Sequence, residues 1–251
     1  MTRAEVIRIE TDGVPLDGLL YEPEGRPRGV VQLMHGNTMN FYVGPSRFLP
    51  PRLTRSGWAC LAYNRRGHDV LSNRGSRDLE GGAYQTIAEA VADNGYARAW
   101  LIERGFPPPV VVGHSNGGTL AVRHVADHPD TPALVLLSAH RGGRDLMRIL
   151  AESGLMAGDR YEEVTAQALE LVEQGRGETL MLVPGWWHVI SARTYVEYLL
   201  HSPDILELAP RIICPVLYLV GDAEPDHLYP AADFRDRASS PVTVEVIENC
   251  G

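Results

Sequence analysis

The sequence predicts an α/β domain with a mostly parallel central sheet, helices on both of its faces and an inserted helical segment. Three observations carry that expectation. Short apolar runs of strand character alternate with stretches of helical period over most of the 251 residues, the pattern produced by crossover helices between parallel strands. The run from Val110 to Gly118 sets β-branched residues ahead of a Gly-rich turn that opens directly into a helix. Between 139 and 211 the strand pattern gives way to helical segments. This stretch is expected to be a helical cap, with 1–138 and 212–251 forming the core.

In chain order, Glu5 to Glu10 and Leu16 to Tyr21 read as two strands around the turn Asp12-Gly13, an opening hairpin. Gly29 to Met34 is a buried strand that runs into His35-Gly36-Asn37. A Pro-rich helix near Ser46 to Ser56 precedes the strand Trp58 to Tyr63, after which Asn64-Arg65-Arg66-Gly67-His68-Asp69 reads as a loop. Ile87 to Arg104 has helical period, and the helix Thr119 to His128 is stopped by His128-Pro129-Asp130. Leu134 to Leu137, Val216 to Val220 and Val242 to Ile247 complete the strands. Inside the insertion the helical stretches are Tyr161 to Gln174 and Ile190 to Leu200. Trp186, Trp187, Tyr195 and Tyr198, with Met147, Met156 and Met181, supply apolar surface suited to covering a pocket. Most of these residues are expected to pack the insertion onto the core, but the adjacent pair Trp186-Trp187 cannot both face the core side of one helix.

Composition removes several function classes. With 44% hydrophobic and 22% charged residues, the chain has the ordinary balance of one large globular domain. All 23 basic residues are Arg, which eliminates Schiff-base, pyridoxal-phosphate, P-loop and Ser-Lys chemistries together. A net charge of -9 argues against nucleic acid or an anionic membrane as a partner. Cys60, Cys214 and Cys250 are odd in number and form no C-x-x-C pair, so neither a zinc site nor a disulfide framework is expected, and a reducing cytoplasm fits. His124 and His128 have helical i, i+4 spacing but lack the Glu of H-E-x-x-H, so they read as surface histidines and no metal or organic cofactor is expected. Met1 to Gly13 lacks the apolar run of a signal peptide, and no stretch is long and apolar enough to span a bilayer.

Chemistry concentrates at Gly113-His114-Ser115-Asn116-Gly117. A serine in a G-x-S-x-G turn between strand and helix sits on strained backbone, its hydroxyl presented at the carboxyl edge of the sheet with the following N–H groups aimed at the same spot. Gly113 and Gly117 let strand and helix close around it. A tight turn without chemistry is the alternative for the pentapeptide alone. Its position between a β-branched strand and a helix favours a nucleophile.

Taken in order, His35-Gly36 after the third strand, Arg66-Gly67-His68 after the fourth, the Ser115 elbow, the helical insertion and an acidic turn after the seventh strand resemble the α/β-hydrolase family over nearly the whole chain. The resemblance implies an oxyanion hole from the backbone N–H groups of Asn37 and Asn116, with His35 shaping the loop rather than acting as base. It also implies a pocket near His35, Gly36, His114, Trp186 and Trp187. The acid is expected in Gly221-Asp222-Ala223-Glu224-Pro225-Asp226. The family's Gly-x-x-Asp-Pro turn aligns Glu224 with it, Asp222 is the second choice, and Asp226 reads as a turn or helix cap.

The family's base is a His just after the last strand, and here Val242 to Ile247 is followed by Glu248-Asn249-Cys250-Gly251. The expectation is a chain truncated one residue before its base. Neither His227, too close along the chain to Glu224, nor His188 in the cap, nor His114 inside the elbow replaces it convincingly. The sequence therefore reads as a serine hydrolase acting on a small-molecule carboxylic ester. The alternatives are a thioesterase, amidase or acyltransferase, or a non-catalytic small-molecule-binding protein on the same fold.

Overall fold

The computed structural model describes residues 3–68, 79, 81–186 and 188–251. The strands are β1 (Arg3–Ile9), β2 (Leu16–Glu22), β3 (Val30–Met34), β4 (Ala59–Tyr63), β5 (Val110–His114), β6 (Leu134–Leu137), β7 (Leu180–Val183), β8 (His188–Ser191), β9 (Val216–Gly221) and β10 (Val242–Ile247). The helices are α1 (Pro45–Phe48), α2 (Pro50–Arg55), α3 (Ile87–Glu103), α4 (Asn116–Asp127), α5 (Leu146–Glu152), α6 (Tyr161–Glu173), α7 (Ala192–His201), α8 (Ile205–Leu208) and α9 (Ala231–Arg237). The single Pro-rich helix expected near Ser46 to Ser56 is thus two short ones, because Pro50 starts a new first turn.

Eight strands form one sheet in the order β1-β2-β4-β3-β5-β6-β9-β10. The β1–β2 and β2–β4 pairs are antiparallel and the rest are parallel. Both faces of the central strands are buried, and side-chain alternation divides them. On β3 and β4, Val30, Leu61 and Tyr63 pack with Ala97 and Leu101 of α3. The intervening Val31, Leu33, Cys60 and Ala62 pack with Leu49 and Leu53 beside α2. A capping box starts α3, with Thr86 Oγ1 accepting from Glu89 N–H and Glu89 Oε2 accepting from Thr86 N–H at 2.8 Å. No described helix is long and apolar enough to cross a membrane.

The register aligns the ends of the central strands. Met34 is paired with Gly113, His114 with Leu137, Leu137 with Leu219 and Ile247 with Gly221. The segments that leave β3, β5, β9 and β10 therefore emerge at one carboxyl edge, where ligands gather in open parallel sheets.

The insertion departs from its expected all-helical character. β7 and β8 pair as an antiparallel hairpin around Gly185, whose φ is +92°. Four residues of alternation per strand are too short to separate from helical period. For the same reason the helix expected from Ile190 begins only at Ala192, where the Ser191 side chain accepts from Thr194 N–H. The boundaries move as well. An antiparallel bridge joins Gly142 to Asp204, Gly143 N–H donates to Pro203 O and Ile205 N–H to Arg141 O. This neck closes the insertion more tightly than 139–211, and Ile205, Leu206, Ala209 and Ile212 belong to the main core with α4 and β9. Residues within the neck have their own core, built on Leu146, Met147, Met156, Val164, Met181 and Tyr195.

Burial also corrects the reading of His124 as a surface residue. It is 3% exposed, stacked on His128 at 4.3 Å, and its Nε2 has no partner among the described residues. Desolvation holds it down to about 3, while burial holds His68 and His140 at about 4 and His35 well below the usual range. In the unfolded chain each would titrate near 6.5. Below that value unfolding takes up protons that the native state refuses. Stability is therefore complete above about pH 6.5 and is lost as pH falls toward 4, by about 1.4 kcal/mol per pH unit for each imidazole. His124→Leu should remove one imidazole's share of that slope. Urea midpoints at pH 7, 6 and 5 measure it, and an unchanged loss in the variant would mean that native His124 is charged.

Candidate active site

Ser115 stands at the junction of β5 and α4 with φ 53° and ψ -124°. Such a conformation costs a non-glycine residue roughly 1–3 kcal/mol and persists only where the surroundings enforce it. Here they do so from both sides. Ser115 N–H remains in the sheet, donating to Leu137 O at 2.9 Å, while Ser115 O already accepts from Gly118 and Thr119 N–H at 2.8 and 3.2 Å. A Cβ on Gly113 would lie closer than 3.0 Å to Gly117 O, Gly118 Cα and Ala121 Cβ, and one on Gly117 would meet the carbonyls of Met34 and His35 as closely. Asn116 is the first residue of α4, so its N–H has no intrahelical acceptor. No described side chain is hydrogen-bonded to the Ser115 hydroxyl.

Facing the elbow is the segment after β3. A Cβ on Gly36 would sit 3.3 Å from Ser115 Cβ and 3.2 Å from His114 Nδ1, so Gly36-Asn37 passes directly beside the serine. His35 does not line a pocket. It is 2% exposed, its Nε2 accepts from Arg65 N–H at 3.2 Å, and its Nδ1–H therefore donates to Gly36 O at 2.8 Å. Arg65 closes the same knot. Its Nη1 donates to His35 O at 2.8 Å, its side chain is fully buried, and its Nε and Nη2 have no described partner. Burial, aided by that guanidinium, holds the imidazoles of His35 and His68 below the usual range and so neutral. Sequence reasoning passed over Arg65, since a charged residue in a loop gives no sign of complete burial.

The acidic turn lies on the same edge. Glu224 Oε2 accepts from Gly221 N–H at 2.8 Å, and the carboxylate is near enough to His114 to oppose the lowering that burial imposes on that imidazole. Asp222 instead holds the segment after β10, accepting from Asn249 and Cys250 N–H at 3.0 and 3.1 Å, which keeps its carboxyl below the usual range. Ala223 N–H donates to Cys250 O at 3.0 Å, so Asn249-Cys250-Gly251 rests on the acidic turn. Asp226 is exposed.

A cleft of about 310 Å³ opens beside the loop that follows β3, lined by Asn37 to Asn40, Gly67, His68, Gly82, Ala83, His188 and Val189. Of the residues expected around a pocket, Gly36 and His114 lie against Ser115. Trp186 sits 64% exposed on the β7–β8 turn, its N–H bonded to Leu155 O, and is not among the cleft lining. Trp187 lies outside the described residues, as does Asp69. Thr38, Met39, Asn40, His68 and His188 were missed as lining residues. Thr38 has φ 55°, which is unusual for a β-branched residue and costs about 1–3 kcal/mol, but the sequence carries no mark of it. The insertion reaches the site through Tyr198 of α7, which lies against Arg65 and the Asn116 side chain, and through Ser191, whose N–H donates to Ala83 O at 2.8 Å.

Known proteins agree with this architecture. The chain is similar to the alpha/beta hydrolase GrgF from Penicillium sp. sh18 (TM-score 0.73, 14% identity, covering 99% of this chain and 91% of that one). It is also similar to Est1E from Butyrivibrio proteoclasticus (TM-score 0.69, 15% identity, 97% and 88%) and to a thermostable carboxyl esterase from Bacillus coagulans (TM-score 0.72, 14% identity, 99% and 90%). At these identities the likeness shows the fold. A putative phosphoribosyl transferase of Mycobacterium tuberculosis (strain H37Rv) is 26% identical over 221 residues, which are 84% of this chain and 45% of that protein, so the chain spans about half the length of the curated relative. The model of the alpha/beta hydrolase family matches residues 33–251, a span that takes in the Gly36-Asn37 loop, the Ser115 turn, the insertion and the acidic turn. The chain belongs to the alpha/beta hydrolase family.

Proposed function

We propose that the protein is a serine hydrolase of a small-molecule carboxylic ester, working through an acyl-enzyme on Ser115. One observation carries this most directly. Ser115 is held in strained backbone, its hydroxyl without a described partner, between the N-terminus of α4 and the Gly36-Asn37 segment. Attack by Oγ on the ester carbonyl forms a tetrahedral intermediate, and the Asn37 and Asn116 N–H groups stabilise its oxyanion, each donor being worth roughly 3 kcal/mol of barrier. Collapse expels the alcohol, and water then hydrolyses the acyl-enzyme. The insertion serves as the cap, closing the Ser115 edge through Tyr198, Ser191 and the β7–β8 hairpin.

Glu224 takes the role of the acid. Its Oε2 is fixed by Gly221 N–H, which leaves Oε1 to orient the imidazole of a general base. The test is p-nitrophenyl acetate hydrolysis by the 251-residue chain and by a chain bearing a histidine directly after Gly251. The added imidazole should raise kcat by roughly 10³-fold or more. In that background Glu224→Gln should lose on the order of 10²–10⁴-fold. Asp222→Asn should lose about tenfold or less by loosening Asn249 and Cys250. The reverse ranking would transfer the acid role to Asp222, and full activity without the added histidine would move the base to an imidazole already present. Saturable binding of esters without turnover in either chain would favour a ligand-binding protein on this fold.

A further inference from the structure

The cleft beside the oxyanion loop has an unusual inventory for a place where an ester is to sit. Asn37 and Thr38 line it with side chains that make no hydrogen bond to any described residue, and Asn40 Oδ1 accepts from Tyr42 N–H at 3.2 Å, which leaves its Nδ2 donors unused. His188 enters from β8 with no described partner, and burial keeps its imidazole neutral, so it offers one donor and one acceptor. His68 is committed, its ring held between Met39 O and Gln85 Oε1 at 3.0 Å each. Only Met39, Ala83 and Val189 bring apolar side chains.

Met39, which lines the cleft, packs against the same glycine as the serine. Met39 Sδ lies 3.0 Å from the position a Cβ would take on Gly36, and that same position is 3.3 Å from Ser115 Cβ. Thr38 lines the cleft from a left-handed conformation that glycine would adopt freely and a β-branched residue resists. An alkyl chain placed here would strip water from Asn37, Thr38, Asn40 and His188 and return nothing to them. A site built of such groups discriminates steeply against an analogue that lacks the matching hydroxyl.

We propose that this cleft is the substrate subsite, and that it selects a short ester bearing a hydroxyl group on its acyl or alcohol part over the plain alkyl ester of equal length. Selection of that kind rests on Ser115 being the nucleophile, so the two are read by different measurements. Binding is measured calorimetrically on Ser115→Ala, which cannot turn the ester over, with ethyl 3-hydroxybutanoate against ethyl butanoate and 2-hydroxyethyl butanoate against propyl butanoate. At least one hydroxylated ester should bind about tenfold or more tightly than its alkyl partner, in keeping with one or two hydrogen bonds gained. Adding Thr38→Val and His188→Leu should reduce that ratio to within about threefold, the hydroxylated ester losing affinity as its partners go and the alkyl ester no longer stripping water from them. Equal binding in both pairs, tighter binding of the alkyl member, a ratio untouched by the added substitutions, or no binding of any ester would overturn the proposal. Hydrolysis of the same esters by the serine-bearing chain, with or without a histidine after Gly251, reports separately on the nucleophile.

Discussion

Ser115→Ala, made in the chain that carries a histidine after Gly251, should lower kcat for p-nitrophenyl acetate by on the order of 10⁴–10⁶-fold. Removing the hydroxyl removes the acyl-enzyme route altogether, and what survives is water attack assisted by substrate binding and the oxyanion donors. Stability should stay within about 0.5 kcal/mol of the parent, because Ala at φ 53° carries the same backbone strain and the lost hydroxyl has no described hydrogen bond. A full kinetic comparison with urea denaturation on the same samples separates the two effects. Equal rates for variant and parent would end the serine mechanism.

Gly117→Ala should cost more than about 4 kcal/mol or prevent folding, an effect at the extreme of single substitutions. The added methyl would fall closer than 3.0 Å to the carbonyls of Met34 and His35. Those are backbone atoms at the end of β3, which is paired with β4 on one side and β5 on the other, so they cannot retreat without breaking the sheet. Gly95→Ala is the control. Gly95 lies inside α3, and a methyl added there would meet nothing within 4 Å beyond its own helix, so Ala should stabilise by about 0.5–1 kcal/mol. Unfolding midpoints in urea distinguish the outcomes, and a Gly117→Ala protein within about 1 kcal/mol of the parent would show that α4 can swing away from β3.

The contrast between these two glycines bears on what could be read in advance. Gly117 was legible because its constraint is local: strand, serine and helix are contiguous, and close approach within five residues leaves a G-x-S-x-G trace. The same holds for the acidic turn, which Gly221 and Pro225 frame around Glu224. The Gly36-Asn37 segment was located because it follows a buried apolar strand. The loss of strand pattern after β6 was legible but not the detail of that stretch, since four-residue strands such as β7 and β8 carry too little period and its neck is a pairing between Gly142 and Asp204, distant along the chain.

Thus the sequence by itself determined the parallel α/β core, the G-x-S-x-G turn between strand and helix and the family, because period, turn chemistry and steric exclusion act between near neighbours in the chain. Only the tertiary structure decided which polar groups are buried and which line the cleft. His124 and Arg65 are sealed in by whatever packs over them, and their own letters do not record it. The cleft draws Thr38 and Asn40, His68, Ala83 and His188 from separate loops and from the insertion. Their meeting depends on sheet register and on the closure of the neck, long-range pairings whose free energy is spread over the whole core and leaves no pattern at the residues they bring together.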